Sequence, residues 1–504
     1  MSHFPKNNNM TLNLNVQRAP GNAGWRFDNS YARLPDYFYA QLSPVPVRAP
    51  QAVLLNHALA ESLGLDLQAL SAEEGAALFA GNTLPEGTQP IAQAYAGHQF
   101  GHFNMLGDGR AILLGEHLTP DGRRVDIQLK GSGQTPFSRR GDGRAALAPM
   151  LREYIISEAM HMLGIPSTRS LAVVATGEQV RRETMLPGAI LTRVAASHIR
   201  VGTFEYAAGH GGKEAVQILA DYTLQRHYPE LQNSENPYFA LLNRVIERQA
   251  ALVAQWSMVG FIHGVMNTDN TSISGETIDY GPCAFMDAYN PDTVFSSIDQ
   301  NGRYRYRHQP MMMQWNLARF AETLLPLFDP SQQQAVVMAE ESIRAFPGIY
   351  QMYWIDGMRK KLGLFTAEEN DSELIAGLLD WMTQHQADYT NTFRALTEPA
   401  LMQDAMCRES SFMEWHGRWQ QRLARQPQPI SESTQLMQAN NPVVIPRNHR
   451  VEEALTAATE QGDYTILQRL LAVLTQPYED KPEYFDYRIP PAPSERVYQT
   501  FCGT

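Results

Sequence analysis

The spacing of hydrophobic residues divides the chain into a β-rich first part and a helical second part. Between residues 96 and 212 the sequence is dense in glycine and holds short aliphatic runs bounded by turn residues, which is typical of β-strands. These runs are AILLGEHL, RVDIQLK, SLAVVAT and AILTRVA. The segment AALAPMLREYIISEAMHMLG (145–164) instead repeats its apolar residues every three to four positions, which predicts a helix.

Helical spacing dominates from about residue 214. The segment YFALLNRVIERQAALVAQWSMVG is amphipathic and leads directly into HGVMNTDNTSISGETIDYG (263–281), within which SISGETI predicts a β-hairpin with Ser274-Gly275 as its turn. Residues 312–425 and 448–475 are predicted to be mostly helical, AAGHGGKEA around His210 to be a loop at a helix start, and the C-terminal segment to be an extended tail.

These elements predict an α+β, two-lobed fold of the protein-kinase type. Residues 1–195 form the β-rich N-lobe with its N-terminal extension. Residues 196–504 form a mainly helical C-lobe that carries the loop 263–281 and the C-terminal tail.

Composition excludes several classes of protein. A hydrophobic content of 43% with 19% charged residues suits a soluble globular protein, and no apolar run is long enough to span a membrane. The formal net charge of −12 argues against a nucleic-acid-binding protein. Three cysteines without a C-x-x-C pair exclude a disulfide scaffold and fit a reducing, cytoplasmic setting. The N-terminus lacks the apolar core of a secretory signal, so we expect a disordered start, with a mitochondrial presequence as the alternative.

The segment 263–281 resembles the catalytic and metal-binding motifs of kinases. In H-R-D-x-x-x-x-N the catalytic Asp lies five residues before the Asn, and the Asp of D-F-G binds the metal. Here Val265 occupies the position of the base, whereas Asn270 and Asp279 keep the metal-binding positions. Because the ends of a hairpin are adjacent, we expect Asn270 and Asp279 to converge on one Mg²⁺. The alternative is an Asx turn at Asn270 and a loop aspartate at 279.

Lys130 ends the strand-like run VDIQLK, which is similar to the V-A-I-K of kinases. Such a lysine pairs with the nucleotide phosphates and with a glutamate on the next helix, for which Glu153 is the first candidate and Glu158 the alternative. Upstream, Gly107 and Gly109 in LGDGRAILLGE would let backbone N–H groups approach phosphates.

Arginines are concentrated around the glycine-rich segment KGSGQTPFSRRGDGRAAL. Arginine suits bidentate recognition of phosphate, so this density predicts a pocket for a highly charged group. The arginines are Arg139, Arg140 and Arg144 within the segment, with Arg193 and Arg200 downstream.

Two further features are weaker. His98 and His102 in AGHQFGHF have zinc-like spacing but lack the glutamate of H-E-x-x-H, so a metal hydrolase is a distant alternative. Cys502 lies on the tail, where an accessible thiol could be redox-active.

Together these stretches resemble the selenoprotein O (SelO/YdiU) family of kinase-like protein adenylyltransferases. The similarity rests on the following segments, which run through most of the chain: YAGHQFGHFNMLGDGRA, QLKGSGQTPFSRRGDGRAAL, LTRVAASHIRVGTFEY, GVMNTDNTSISGETIDYGPCAFMD and the final FCGT.

The resemblance implies transfer of AMP from ATP to Ser, Thr or Tyr hydroxyls of proteins, with ATP bound reversed relative to kinases. Transfer of UMP from UTP, with Mn²⁺ as the metal, is the second donor reaction that it implies. Asp269 would be the base, Asn270 and Asp279 would bind the metal, and Glu153 would pair with Lys130. The implied nucleotide contacts are Gly107, Gly109, Arg110, Lys130, Asp142, Gly143, Arg193 and Arg200.

Cys502 stands where some members of the family carry selenocysteine. Some bacterial members pair this thiol with a cysteine after D-Y-G. This sequence has no cysteine between residues 284 and 310, so such a pair would require Cys283 in its place.

The residues themselves are compatible with nucleotidyl transfer. This reaction attacks the α-phosphate and expels pyrophosphate, so it needs cations where the β- and γ-phosphates lie, and the extra arginines could supply them. Asp269 is the nearest carboxylate left to accept a proton. An ordinary phosphotransferase is the second hypothesis, because several small-molecule kinases build loops around H-G-x-x-x-x-x-N. A catalytically silent nucleotide-binding regulator is the third, because of Val265.

Overall fold

The computed structural model describes residues 23–398 and 409–501, and the backbone of Gln17–Arg18. These residues form two compact units. The first unit takes residues 23–96, 105–150 and 169–198, and the second takes 97–104, 151–168 and the described residues from 199 onward. The predicted lobe boundary after residue 195 stays a prediction.

The described strands lie mostly in the first half of the chain. They are β1 (Gln17–Arg18), β2 (Tyr39–Gln41), β3 (Gln51–Leu55), β4 (Thr83–Leu84), β5 (Ile91–Gln93), β6 (Ala96–Gln99), β7 (His102–Met105), β8 (Ala111–Leu118), β9 (Arg124–Lys130), β10 (Ala145–Ala146), β11 (Arg169–Arg181), β12 (Met185–Ala195), β13 (Phe261–Ile262) and β14 (Ala284–Phe285).

The described helices lie mostly in the second half. They are α1 (His57–Leu63), α2 (Ala72–Phe79), α3 (Leu147–Met162), α4 (Val201–His227), α5 (Pro237–Met258), α6 (Gln309–Phe328), α7 (Gln332–Lys361), α8 (Asp371–His385), α9 (Tyr389–Ala395), α10 (Ser410–Ala424), α11 (Ile430–Asn440), α12 (Asn448–Thr456), α13 (Thr465–Leu474) and α14 (Phe485–Arg488). The predicted α+β class, with a β-rich N-terminal region and a helical C-terminal region, is confirmed.

An antiparallel sheet forms the first unit. Its strand order is β2-β5-β8-β9-β12-β11-β3, with β10 also paired to β12. All four aliphatic runs of the sequence are strands of this sheet, which confirms the prediction. Ile127 and Leu129 of β9 are fully buried and pack with Ile190 of β12 in a core that α1 and α2 also line. Lys130 ends β9 opposite Leu191 of β12, so the sheet fixes the position of its backbone.

Helices dominate the second unit, which also contains β13 and β14, and the helical pattern predicted from about residue 214 is confirmed. The stripe expected on α5 is buried, from Leu242 and Val245 to Val253 and Trp256. The described parts of 312–425 and 448–475 are mostly helical. No helix in the described ranges is long and apolar enough to cross a membrane.

Two local predictions are wrong. His210 lies inside α4 rather than in a loop at its start, because α4 already begins at Val201 and bends at Gly212, whose φ is 59°. The segment SISGETI does not form a two-stranded hairpin: Ser272 pairs with Arg200 and Thr277 pairs with Ser167. A turn is present one residue earlier than predicted, at Ile273-Ser274, since the Gly275 N–H donates to the Ser272 carbonyl at 3.2 Å.

The tail is non-helical from residue 489 to residue 501. Thr500 is buried there, donates its N–H to the Phe295 carbonyl and its hydroxyl to the Pro282 carbonyl. The predicted redox residue Cys502, and Cys407, lie outside the described residues. Cys283 is buried.

Candidate functional site

The predicted base, Asp269, lies in a single 3₁₀ turn, Thr268–Asn270, of the second unit. Burial raises the pKa of its carboxyl group to about 6, although the nearby Arg200 charge acts in the opposite direction. Gln99 donates to Oδ2 at 3.4 Å. Oδ1 is buried and has no hydrogen-bond partner within the described residues. A buried acceptor with spare capacity can take a proton from a hydroxyl group that reaches it.

Gly97 of β6 packs directly against this carboxylate. A Cβ built at position 97 would lie 2.4 Å from Asp269 Oδ1 and 2.9 Å from its Cβ and Cγ. Only glycine therefore fits here without displacing Asp269. The segment AGHQFGHF stands out for its histidines, and nothing in it points to Gly97, because steric contact with a residue 172 positions away leaves no local signal.

Val265 orients Asn270 through its backbone. The Asn270 Nδ2 group donates to the Val265 carbonyl at 2.9 Å. This bond fixes the amide and leaves Oδ1 as the atom that Asn270 can offer to a cation. A position that cannot supply the kinase base thus still holds the predicted metal ligand in place.

Arg200 joins the Asp269 turn to Asp279. Its Nη1 donates to the Asp269 carbonyl at 2.6 Å and to Asp279 Oδ2 at 2.5 Å. Arg200 is only 3% exposed, and Asp279 has a φ of 63° in the left-handed region. The family resemblance implies that Arg200 contacts the nucleotide, and that role stays a prediction. The structure adds that Arg200 positions two other predicted site residues.

One hydrogen bond within the 263–281 segment and others to residues 166–167 hold this segment, in place of the expected hairpin. His263 shares a hydrogen bond with the Ile278 carbonyl at 3.0 Å, and complete burial lowers the pKa of its imidazole. The Tyr280 hydroxyl bonds to Ser167. The Thr277 N–H donates to the Pro166 carbonyl at 2.9 Å. Asn270 and Asp279 are therefore positioned by different neighbours.

The two histidines of AGHQFGHF have different environments. His98 Nδ1 lies 2.5 Å from Glu205 Oε1, and Thr268 donates its hydroxyl to Glu205 Oε2 at 2.6 Å. Burial raises the pKa of Glu205, while the Thr268 and His98 contacts act against this shift. His102 is exposed. Within the described ranges, no group of three or more His, Cys, Asp or Glu side chains could hold a metal ion. His98 is thus bound to the turn that carries Asp269.

The first unit carries the predicted glycine loop. Gly107 has a φ of 131°, and a Cβ there would lie 2.4 Å from the Phe137 ring. A Cβ on Gly109 would approach the Phe137 carbonyl at 2.9 Å. The Thr135 hydroxyl donates to the Asp108 carbonyl at 2.7 Å. Both glycines are therefore required where the segment after Lys130 folds back over this loop.

The other predicted residues of the first unit lie on the same sheet or beside it. Lys130 is 8% exposed, and Arg193 is buried on β12 with its Nη1 3.4 Å from Gln128 Oε1. Asp142 is bound by Arg182 at 3.0 Å, and Gly143 has a φ of 66° in the same turn. Arg110 directly precedes β8.

The arginines that were predicted to form a pocket differ in their environments: some are exposed, and another is hydrogen-bonded within the fold. Arg139 and Arg140 are exposed. Arg144 instead donates to the Val45 carbonyl at 3.1 Å, so part of its charge supports the fold. Glu153 and Glu158 are both buried in α3, and the pairing of Glu153 with Lys130 stays a prediction.

Comparison with known proteins gives a consistent result. The family model described as "Protein adenylyltransferase SelO" matches residues 23–475. The chain is 63% identical to the protein nucleotidyltransferase YdiU of Syntrophotalea carbinolica over 95% of this chain and 98% of that protein. It is 62% identical to the YdiU of Bacillus cytotoxicus, again over 95% and 98%. It is 60% identical to the YdiU of Nitrosococcus oceani over the same shares.

Proposed function

We propose that this chain, which belongs to the SelO family of protein adenylyltransferases, transfers AMP from ATP to Ser, Thr or Tyr hydroxyls of other proteins and releases pyrophosphate. UTP is the second donor that we propose, with UMP as the transferred group. The two compact units and their β-rich and helical character support a kinase-like, two-lobed fold for this activity.

The observation that carries the proposal is the buried carboxylate of Asp269, which has an unpartnered Oδ1 and a pKa raised to about 6. A general base works best when its pKa lies near the operating pH, because it is then ionised and still basic enough to accept a proton. Val265 cannot take this role, so Asp269 is the base that we propose.

In the proposed reaction the acceptor hydroxyl displaces pyrophosphate from the α-phosphorus of ATP. The hydroxyl oxygen of the acceptor attacks the α-phosphorus, and its proton passes to Asp269. The bond between the α-phosphorus and the bridging oxygen to the β-phosphorus breaks, and pyrophosphate leaves with the electron pair. Positive groups near the β- and γ-phosphates stabilise this leaving group. The residues that we propose for binding the nucleotide are Gly107, Gly109, Arg110, Lys130, Asp142, Gly143, Arg193 and Arg200.

Asn270 and Asp279 would hold the metal ion. The amide oxygen left by the Asn270–Val265 bond and the carboxylate of Asp279 are hard oxygen donors, which fit Mg²⁺ or Mn²⁺ bound together with phosphates. When bound, such an ion neutralises phosphate charge. Arg200 orients the Asp279 carboxylate, since it donates a hydrogen bond to it.

The test uses ATP labelled either at the α-phosphate or at the γ-phosphate, with the full chain and a mixture of acceptor proteins. Label that enters protein from the α-position alone supports the proposal. Label from the γ-position alone would show a phosphotransferase, and nucleotide binding without label would favour a silent regulator.

A matched pair of variants assigns the base. Asp269→Asn keeps the size of the side chain and should lower transfer by about 100-fold or more. Asp380→Asn makes the same change on the exposed face of α8 and should leave transfer unchanged. UTP labelled at the α-phosphate, compared with ATP at equal concentration, measures the donor preference.

A further inference from the structure

We propose that a cavity beside the Asp269 turn receives the acceptor segment of the protein substrate, and that Arg303 binds a carboxylate side chain close to the modified hydroxyl. This inference rests on the proposed function and names the class of acceptor: a segment with an Asp or Glu near its Ser, Thr or Tyr.

The cavity lies within the second unit and has a volume of about 500 Å³. Phe100, from the turn between β6 and β7, and His102 of β7 line one wall. Residues 298–303 line another wall, and Met311 and Met312 of α6 complete it. This is large enough for several side chains of an extended peptide.

Hydrogen bonds tie two walls of this cavity to the turn that carries Asp269. The Phe100 N–H donates to Asn267 Oδ1 at 3.1 Å, and the Tyr304 hydroxyl donates to the same oxygen at 2.6 Å. Gln99, which precedes Phe100, donates to Asp269 itself. An extended chain advances about 3.3–3.6 Å per residue. A substrate segment whose hydroxyl reaches Asp269 would therefore place residues only a few positions from that hydroxyl in the cavity.

Arg303 brings an unmatched positive charge to this cavity. Its guanidinium lies over the Trp315 ring at 5.0 Å and over the Tyr304 ring at 5.8 Å, so its plane is held by stacking. Its Nε is buried without a hydrogen-bond acceptor, and it forms no ion pair with any residue that the structure describes. Arg303 is half-buried and lines the cavity, so a ligand carboxylate can pair with its guanidinium there.

The neighbouring charged side chains already have partners within this segment. Arg305 and Arg307 both pair with Asp292, at 2.9 and 2.8 Å. Asp299, the acidic residue of the cavity wall, accepts the backbone N–H groups of residues 303 and 304 at 2.8 Å each. Arg303 is therefore the residue whose charge an acidic acceptor segment would complement.

The lining favours a peptide over a polyphosphate. Ile298 and Met311 line the cavity and are 48% and 51% exposed, so apolar area is open beside the arginine. Apolar surface around one charged group is typical of sites that bind side chains of a partner protein.

The experiment uses the full chain, ATP labelled at the α-phosphate, and peptides that each carry one acceptor hydroxyl. Each peptide has Glu, Gln or Lys at one of the four positions on either side of the hydroxyl. We expect wild-type protein to prefer Glu over Gln at one or two positions by about tenfold in kcat/KM. Arg303→Gln should remove this preference through the KM of the peptide and leave the KM for ATP unchanged.

Two further variants exclude a merely structural role for Arg303. Arg303→Glu should reverse the preference, so that the Lys peptide becomes the better acceptor at the same position. Arg307→Gln removes an exposed positive charge from the same segment and should keep the wild-type preference.

The outcomes separate this inference from the proposed function. Equal labelling of Glu and Gln peptides by wild-type protein would overturn the inference alone. An equal loss on all peptides for Arg303→Glu would also overturn it, since it would show a structural role. Absence of α-label on every peptide and on whole proteins would overturn both.

Discussion

Replacing Gly97 with alanine should disable the site while leaving the chain folded. The new Cβ would lie 2.4 Å from Asp269 Oδ1, whereas ordinary van der Waals contact begins at 3.4 Å, so one of the two groups must move by about 1 Å. Neither group moves easily, because β6 pairs with β7 and the Asp269 carbonyl is bound by Arg200 at 2.6 Å. A misplacement of about 1 Å in a catalytic group can cost about 100-fold in rate.

The assay follows transfer of label from the α-phosphate of ATP to protein. We expect kcat to fall about 100-fold, which corresponds to about 2.7 kcal/mol. The free energy of unfolding, measured with urea, should fall by about 1–3 kcal/mol because of the overpacking. The comparison of the two measurements shows whether the loss is local to the site.

Gly417→Ala is the matched control, because a Cβ at this position of α10 meets no atom within 4 Å. It should leave kcat unchanged and raise stability by up to about 1 kcal/mol. In an Asp269→Ala background the destabilisation by Gly97→Ala should be smaller, since two of the three obstructing atoms are then absent. A kcat for Gly97→Ala within threefold of wild type would refute the steric reasoning.

Two other predictions concern the proposed metal ligand Asp279 and the buried Lys361. Asp279→Ala should lower transfer at least about 100-fold, because it removes a proposed metal ligand and the acceptor for Arg200; unchanged activity in the α-label assay would mean that the motif is misassigned. Lys361 is buried with its Nζ 4.3 Å from the centroid of the Phe393 ring, and burial lowers its pKa from 10.5 to about 7. Between pH 7 and 10.5 the unfolded chain binds more protons than the folded chain, so wild-type stability rises with pH across this window. Lys361→Met should therefore stabilise most below pH 7 and lose about 2–5 kcal/mol of that gain by pH 10.5, whereas a pH-independent difference in urea unfolding would contradict the argument.

The sequence by itself determined the regular elements around the site. Strand β9 up to Lys130, helix α3 with Glu153 and helix α5 before the motif were all predicted, because their apolar spacing reflects which faces are buried. The motif 263–281 was also identified from the order of its polar residues alone. These features are encoded by residues close together in the chain, so they can be recognised without knowing the fold.

The prediction that a hairpin holds the motif together was wrong. A local hairpin was the simplest way to bring Asn270 and Asp279 together, yet the strands around this turn pair elsewhere. The Val201 N–H donates to the Thr271 carbonyl, and the Thr168 N–H donates to the Thr277 carbonyl, at 2.9 and 3.0 Å. The partners, residues 167–168 and 200–201, are distant in the sequence, and their bonds to the motif replace the local pairing of a hairpin.

Only the tertiary structure decided the remaining features of the site. The contact of Gly97 with Asp269, the hydrogen bond that Asn270 donates to the Val265 carbonyl, and the lack of an ion pair for Arg303 within the described residues all depend on which side chains meet after folding. Burial also decides the chemistry, since the same carboxyl group in water would have a pKa near 3.8 rather than about 6. Local spacing records which residues face inward, but the desolvation that raises the pKa of the Asp269 carboxyl group arises from contacts between residues distant in the chain.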